Sequence, residues 1–121
     1  MKIDNNFWKN KKVLITGHTG FKGGWLTVIL HMLKCKVSGL ALNPKGKNNF
    51  FNATKIKRIL KNDFRHDIAD IKFLKKSIKK IKPEVIFHLA AQSSVIESFK
   101  NPKDTIVTNT IGTSNILEAS R

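Results

Sequence analysis

TGHTGFKG, residues 16–23, is the stretch on which the fold depends, because the apolar run Val13 to Ile15 precedes it and a helical pattern follows it. We expect Gly17 to turn with a positive φ, Gly20 to let backbone approach a phosphate, and Gly23 to let the helix pack closely on the strand. The helix N-terminus adds unpaired N–H groups and a partial positive charge. The stretch therefore predicts a phosphate cradle.

The residues around this turn complete a strand–helix–strand unit. A second apolar strand is predicted from Lys36 to Leu42. Between the strands, apolar residues recur at the spacing of one helix face: Trp25, Leu26, Ile29, Leu30 and Leu33. Three spaced glycines in a unit of about thirty residues are typical of dinucleotide binding. A structural glycine-rich turn without a ligand is the alternative.

The rest of the chain continues the alternation of strands and helices. Strands are predicted near Phe64 and at Val85–Phe87, and helices at Thr54–Asn62, Ile71–Lys82 and Asp104–Ser120, with a loose arm at 1–10 and a loop at 45–52. The last helix is expected to present one face made of Ile106, Thr110, Thr113 and Leu117. The pattern predicts an α/β fold, a Rossmann-like doubly wound parallel sheet of about four strands, with a nucleotide at the reversal between the first and fourth strands.

The glycine spacing G-x-x-G-x-x-G resembles that of extended short-chain dehydrogenases/reductases. More closely, residues 16–26, TGHTGFKGGWL, resemble the start of CDP-glucose 4,6-dehydratases. Three later stretches agree with that family, namely Ala41–Pro44, His88–Gln92 and Thr108–Thr113. The resemblance runs from residue 7 to residue 121 and covers the N-terminal part of such an enzyme.

This resemblance implies a homodimeric enzyme that uses NAD to convert CDP-glucose to CDP-4-keto-6-deoxyglucose and water. In that family a Tyr-x-x-x-Lys pair carries the chemistry, and this chain contains no tyrosine. We therefore expect no catalytic residue within residues 1–121, which would form the N-terminal portion of an NAD(P)-binding Rossmann domain. The Tyr-x-x-x-Lys segment and the substrate domain are expected to lie outside it, and the chain alone should be inactive.

The candidate cofactor-binding residues lie in the cradle and after the strands: Gly17, Thr19, Gly20, Phe21, Lys22, Gly23, Asn43, Asp67, Ile68, Leu89, Ala90, Ala91, Gln92 and Asn109. Asn43 follows the second strand, where an acidic residue accepts the ribose hydroxyls of NAD and basic residues accommodate the 2′-phosphate of NADP. Lys45 and Lys47 follow closely, so the residues alone do not decide between NAD and NADP as the cofactor. The resemblance favours NAD.

Three of these assignments have alternatives. By resemblance, Asp67 accepts a hydrogen bond from the adenine amino group; otherwise it caps the helix that starts at Ile71, a role that Asp70 could also take. By resemblance, Asn109 helps to shape the site; otherwise it is an ordinary polar helix residue. Gln92 has donor and acceptor groups for the nicotinamide ribose or the sugar. No strand-turn-helix elbow surrounds Ser93, so hydrolase chemistry with His88 is not expected.

Charge and cysteine content limit the other functions. The formal net charge is +15, but it comes far more from scattered lysines than from arginines, which favours a compositional bias over nucleic-acid binding. Cys35 is the only cysteine, so neither an intrachain disulfide nor a cysteine metal cluster is expected. Without a signal peptide or membrane span, we expect a soluble cytoplasmic protein.

Two other classes of function compete with this interpretation. One is the cofactor-binding part of another nucleotide-sugar enzyme, such as a GDP-mannose 4,6-dehydratase or an epimerase. The other is a non-catalytic module that senses a dinucleotide or uses its positive charge on nucleic acid.

Overall fold

Four parallel strands form a sheet in the order β3-β2-β1-β4, in a computed structural model that describes residues 4–121. The elements in chain order are α1 (Asn5–Trp8), β1 (Lys12–Thr16), α2 (Phe21–Met32), β2 (Lys36–Ala41), α3 (Phe50–Ala53), a 3₁₀ turn (Ile56–Ile59), β3 (Asn62–Arg65), α4 (Ile71–Ile81), β4 (Val85–His88), α5 (Val95–Lys100), α6 (Pro102–Ile106), a π-helical segment (Val107–Gly112) and α7 (Thr113–Ser120).

The strand order reverses between β1 and β4. Val13 of β1 pairs with Val37 of β2 on one side and with Val85 of β4 on the other. The chain therefore runs outward from β1 through β2 to β3 and then crosses back to place β4 on the other side of β1. This is the doubly wound arrangement. The predicted fold class is confirmed.

Side chains of successive strand residues enter two separate cores, as the two-residue period of a strand requires. Leu14 joins one cluster, in which α4 and α7 cover the sheet: Leu14, Leu40, Ile68, Leu74, Ile81 and Ile116. Val13 and Ile15 join the other, on the side of α2: Val13, Ile15, Leu30, Cys35 and Val37. Both faces of the sheet are thus apolar, which explains the continuous apolar run of β1.

The buried face of α2 differs from the predicted one. Leu30 is buried, but Trp25 and Ile29 remain about half exposed, at 48% and 46%. The residues that the helix buries instead include Gly23 and Thr27. Small residues let α2 approach the sheet and the turn closely, so the helix is rotated relative to the face that its large apolar residues suggest.

The segment between β2 and β3 also differs from the prediction. Part of the predicted loop at 45–52 forms the short helix α3, because Asn49 caps it and accepts a hydrogen bond from the backbone N–H of Asn52 at 2.9 Å. The predicted helix at Thr54–Asn62 is only a 3₁₀ turn. Lys55 has the left-handed φ of 54°, which interrupts a continuous helix.

The C-terminal region is more divided than predicted. Helix α5 was not predicted; Ser94 caps it by accepting from the N–H of Glu97 at 3.3 Å. The helix predicted at 104–120 begins earlier and contains the π-helical segment. Its predicted apolar face is wrong as well, because Ile116 is buried whereas Leu117 is 67% exposed. The wider π turn shifts the residues after it around the helix axis.

At the N-terminus, residues 5–8 form the helical turn α1 rather than a loose arm. The first three residues of that predicted arm lie outside the described residues. In residues 4–121, none of the helices combines the length and the apolar composition that a membrane crossing requires.

Candidate functional site: a cleft at the carboxyl ends of the strands

A cleft of about 850 Å³ opens at the carboxyl ends of the strands, where open α/β sheets bind ligands. Twelve of the fourteen candidate residues line it: Gly17, Thr19, Gly20, Phe21, Lys22, Gly23, Asn43, Asp67, Ile68, Leu89, Ala90 and Ala91. Residues that are far apart in the sequence therefore meet in one cavity. Its size lies in the range of cofactor and ligand sites.

The glycine turn closes on itself at the base of this cleft. Gly17 has the positive φ of 77° that was predicted, and its carbonyl accepts from the N–H of Gly20 at 3.0 Å. A β-carbon on Gly23 would lie only 2.2 Å from the carbonyl oxygen of Gly17. Gly23 thus lets α2 pack against the turn rather than against the strand, which corrects the role expected for it.

Gly20 has a different environment from the other two glycines. A β-carbon there would have only the Gly17 carbonyl oxygen nearby, at 3.3 Å. Gly20 is also the N-cap of α2 and offers no side-chain cap to the first N–H groups of this twelve-residue helix. Uncapped donors and the positive end of the helix dipole make this position suited to an anion.

The opposite wall is the segment that follows β4. A β-carbon on Gly17 would lie 2.7 Å from the backbone nitrogen of Ala90, so turn and wall are in direct contact. The hydroxyl of Thr16 accepts from the N–H groups of Leu89 and Ala90, both at 3.2 Å. The small side chains of Ala90 and Ala91 leave room for a ligand against the backbone.

At the end of β2, polar and basic residues line the cleft and no acidic residue does. Asn43 and Lys45 lie there, after Leu42, whose carbonyl accepts hydrogen bonds from the Thr19 hydroxyl at 3.2 Å and from Arg65 at 3.3 Å. These bonds tie the end of β2 to the glycine turn and to β3.

At the end of β3 the structure decides between the alternatives for helix capping. Asp70 caps α4 by accepting from the N–H of Phe73 at 3.0 Å, so the capping interpretation of Asp67 is wrong. The hydrogen bond from Phe73, with help from His66, lowers the pKa of Asp70. Asp67 accepts from the N–H of Ala69 at 2.8 Å and remains exposed at the cleft.

Gln92 and Asn109 are the two candidates that do not line the cleft. They bond to each other: the Asn109 side chain accepts from the backbone N–H of Gln92 at 2.8 Å and donates to its carbonyl at 2.9 Å. The Gln92 side chain donates to Thr105 at 3.1 Å and accepts from Ser94 at 2.6 Å. The polar groups of both residues thus hold the wall in place.

Several lining residues were missed as candidates, among them Leu42, Asn49, Phe50, His66 and Thr108. His66 stacks on Phe73, with ring centroids 3.8 Å apart, and lies 2.8 Å from a carboxylate oxygen of Asp70. Its position directly before Asp67 at the end of a strand was the signal that could have found it. Phe50 comes from α3, a helix that was not predicted from the sequence.

Within residues 4–121 no group of three potential metal-binding side chains occurs.

The comparisons with known proteins agree with this geometry. The family described as GDP-mannose 4,6 dehydratase matches residues 14–121. The chain is 40% identical over 116 residues to the CDP-glucose 4,6-dehydratase of Salmonella typhimurium, covering 96% of this chain and 32% of that protein. It is 35% identical over 120 residues to the GDP-mannose 4,6-dehydratase of Yersinia enterocolitica, covering 92% and 31%.

A solved structure extends the likeness to the fold. The UDP-glucose 4-epimerase of Thermus thermophilus, determined in complex with NAD, superposes with a TM-score of 0.74 at 29% identity, over 88% of this chain and 32% of that one. The chain spans about a third of the length of the curated relatives it matches. The resemblance drawn from the sequence is confirmed by the similarity to a CDP-glucose 4,6-dehydratase. The chain belongs to the GDP-mannose 4,6 dehydratase family.

Proposed function

We propose that the chain binds NAD in this cleft and acts as the dinucleotide-binding domain of a CDP-glucose 4,6-dehydratase. One observation carries the proposal: the Gly17–Gly20 turn lies against the uncapped N-terminus of α2. This combination of close backbone approach and N–H donors without a side-chain cap is well suited to a pyrophosphate. The likeness to the Salmonella enzyme supports the sugar nucleotide, and the NAD complex of the Thermus epimerase supports the cofactor.

The lining residues divide by the part of the dinucleotide that they would hold. The backbone of Thr19, Gly20, Phe21, Lys22 and Gly23 would surround the pyrophosphate, Asn43, Asp67 and Ile68 the adenosine, and Leu89, Ala90 and Ala91 the nicotinamide riboside. In this assignment Gln92 and Asn109 act indirectly, by fixing the wall. The cavity volume suits a ligand of this size.

When bound, NAD supplies the group that takes a hydride from sugar C4 and returns it to C6 after water is lost. The residues of this chain bind and orient the cofactor for that reaction. The proton-transferring groups of the complete dehydratase are not assigned to this chain, which has no tyrosine.

A second candidate is the corresponding domain of a GDP-mannose 4,6-dehydratase. The family match over residues 14–121 and the Yersinia relative favour it. Both candidates share the dinucleotide cleft, so binding of NAD supports either, and only the sugar nucleotide distinguishes them.

The test is calorimetry of NAD binding to the wild-type chain and to Gly20→Val. A branched side chain at Gly20 would enter the space for the pyrophosphate. The substitution should still allow folding, because the new β-carbon would meet only one backbone atom, the Gly17 carbonyl oxygen at 3.3 Å. We expect the affinity to fall by at least about 100-fold. Gly17→Val is less suitable, because its β-carbon would lie 2.7 Å from Ala90 and could prevent folding.

Ser114→Val is the matched control, because it adds similar bulk at an exposed position in α7. It should bind NAD like the wild type. A folded Gly20→Val chain, verified by circular dichroism and thermal unfolding, that bound NAD with unchanged affinity would contradict the proposal.

A further inference from the structure

Hydrogen bonds form a closed ring around the wall segment at residues 89–92. On its near side, the buried Thr16 hydroxyl accepts from the N–H groups of Leu89 and Ala90, and it lies 2.6 Å from Nδ1 of His88. Thr16 therefore contacts both the wall and the last residue of β4.

On the far side, His88 reaches the element that holds the other end of the wall. Its Nε2 lies 3.0 Å from the Thr113 hydroxyl, which in turn donates to the backbone carbonyl of Asn109 at 2.8 Å. The Asn109 side chain then bonds to both backbone groups of Gln92. The ring is thus closed through His88.

The available donors and acceptors indicate the direction of these bonds. The Leu89 and Ala90 N–H groups can only donate, so the Thr16 hydroxyl oxygen accepts from them, and the Leu89 N–H is shared with the backbone carbonyl of Thr16 at 3.1 Å. Nδ1 of His88 is the one acceptor that the Thr16 hydroxyl has among the described residues, so its own proton goes there. The ring proton of a neutral His88 then lies on Nε2 and is donated to Thr113, whose proton goes to the Asn109 carbonyl.

Each hydroxyl of the ring thus both donates and accepts. If Nδ1 of His88 carried a proton, the buried Thr16 hydroxyl would lose its only acceptor among the described residues. Burial also lowers the pKa of His88, which favours the neutral form.

We propose that His88 is a positioning residue for the dinucleotide cleft: as a neutral imidazole protonated on Nε2, it joins Thr16 to Thr113 and holds residues 89–92 against the glycine turn. The inference rests on the proposed function of this cleft. His88 and Thr113 do not line the cleft themselves, so they act through the wall. The backbone of Leu89 and Ala90 packs so closely on Gly17 that it leaves no space for a β-carbon there. A small displacement of His88 or Thr113 should therefore change how the wall lies against the glycine turn.

The first test needs no ligand and no substitution. Nitrogen-15 NMR of the histidine rings in the cofactor-free chain reports which ring nitrogen carries the proton. We expect His88 near neutral pH to show a single tautomer with a slowly exchanging proton on Nε2. A proton on Nδ1, or rapid averaging between the two tautomers, would overturn the proposal.

The second test removes the far partner of His88. Thr113→Val keeps the shape of the side chain but leaves the Nε2 proton without an acceptor, whereas Thr113→Ser keeps the hydroxyl. We expect Thr113→Val to shift the backbone amide signals of residues 89–92 and to weaken NAD binding by about 3- to 10-fold, the size expected for the net contribution of one hydrogen bond. Thr113→Ser should stay within about twofold of the wild type.

Thr110→Val is the control, because Thr110 is exposed on the π-helical segment next to Thr113. It should leave both the amide signals and the affinity unchanged. If Thr113→Val matched this control, the role of His88 would be refuted. A wild-type chain with the Nε2 tautomer that bound no NAD would instead refute the dinucleotide function and leave the hydrogen-bond ring intact.

Discussion

Nε2 of His18 lies 2.8 Å from a carboxylate oxygen of Asp63, and this contact joins the glycine turn to β3. His18 is fully buried, in edge contact with the ring of Phe51, with centroids 5.6 Å apart. A β-carbon on Gly39 would overlap the imidazole, at 2.3 Å. The turn is therefore held by its buried histidine as well as by its glycines.

The burial of His18 predicts a stability that depends on pH. Burial lowers the pKa of His18 below the usual 6.5, partly opposed by the hydrogen bond to Asp63, while Arg65 also lowers it. Below pH 6.5 the unfolded chain therefore binds more protons than the folded one, and the free energy of unfolding falls as the pH falls. The stability that the neutral, buried His18 contributes should be fully present above the pKa of His18 in the unfolded chain. It should be lost as the pH drops through the lower pKa of His18 in the folded chain.

The measurement is urea unfolding of the wild type and of His18→Gln at pH 7.5 and pH 5.5, both chosen as roughly one unit from the ordinary histidine pKa. Since glutamine does not titrate, the variant should lose less stability between the two values. Burial also lowers the pKa of His88, which acts in the same direction in both chains. Equal losses in the two chains would show that His18 does not contribute.

Asn43→Asp should favour NAD over NADP. A carboxylate at the end of β2 can accept from the ribose hydroxyls but repels a 2′-phosphate. We expect NADP affinity to fall by about tenfold or more while NAD affinity is kept or raised, since like charges in contact cost at least that much. Calorimetry with both dinucleotides gives the ratio of affinities.

Asn5→Asp adds the same charge in α1, before β1 and so at the opposite end of the sheet from the cleft. It should leave the ratio of the two affinities unchanged. An unchanged ratio in Asn43→Asp as well would place the ribose elsewhere.

The chain is expected to self-associate. β4 is an edge strand of the sheet, and the next helix exposes Val95, Ile96 and Phe99 at 69%, 70% and 83%. Unpaired backbone groups beside exposed apolar side chains favour association. Light scattering at tens of micromolar, a range in which such surfaces associate, should detect dimers or larger species, and Phe99→Ser should reduce them. A monodisperse wild-type monomer would contradict this.

The purified chain should not dehydrate CDP-glucose. Abstraction of a hydride from C4 requires a base for the hydroxyl proton, and the family's tyrosine is absent from this chain. His88 is not available as a substitute, because both its ring nitrogens are hydrogen-bonded to threonines. Loss of a general base alone costs about 10²- to 10⁴-fold in rate.

The assay is the absorbance of the 4-keto sugar in alkali after incubation with NAD and CDP-glucose. Product above a no-protein control, and lost in Gly20→Val, would show that catalytic groups lie within this chain.

The sequence by itself determined the fold class and predicted most of the lining of the candidate cleft. The glycine spacing at 16–23 and the apolar strand runs are local patterns, and the parallel order of the strands follows from the helices between them. Because the carboxyl ends of parallel strands meet at one edge of a sheet, residues after β1, β2, β3 and β4 could be assigned to a common cleft. Twelve of the candidates do line it.

Only the tertiary structure decided which groups are already engaged with one another. Gln92 and Asn109 are 17 positions apart, and their mutual hydrogen bonds depend on how the π-helical segment lies beside the wall. The contact of His18 with Asp63 spans 45 positions, and that of His88 with Thr16 spans 72. Composition and periodicity carry no signal for such contacts, because they arise from the packing of separate elements, as does the rotation of α2 that leaves Trp25 half exposed.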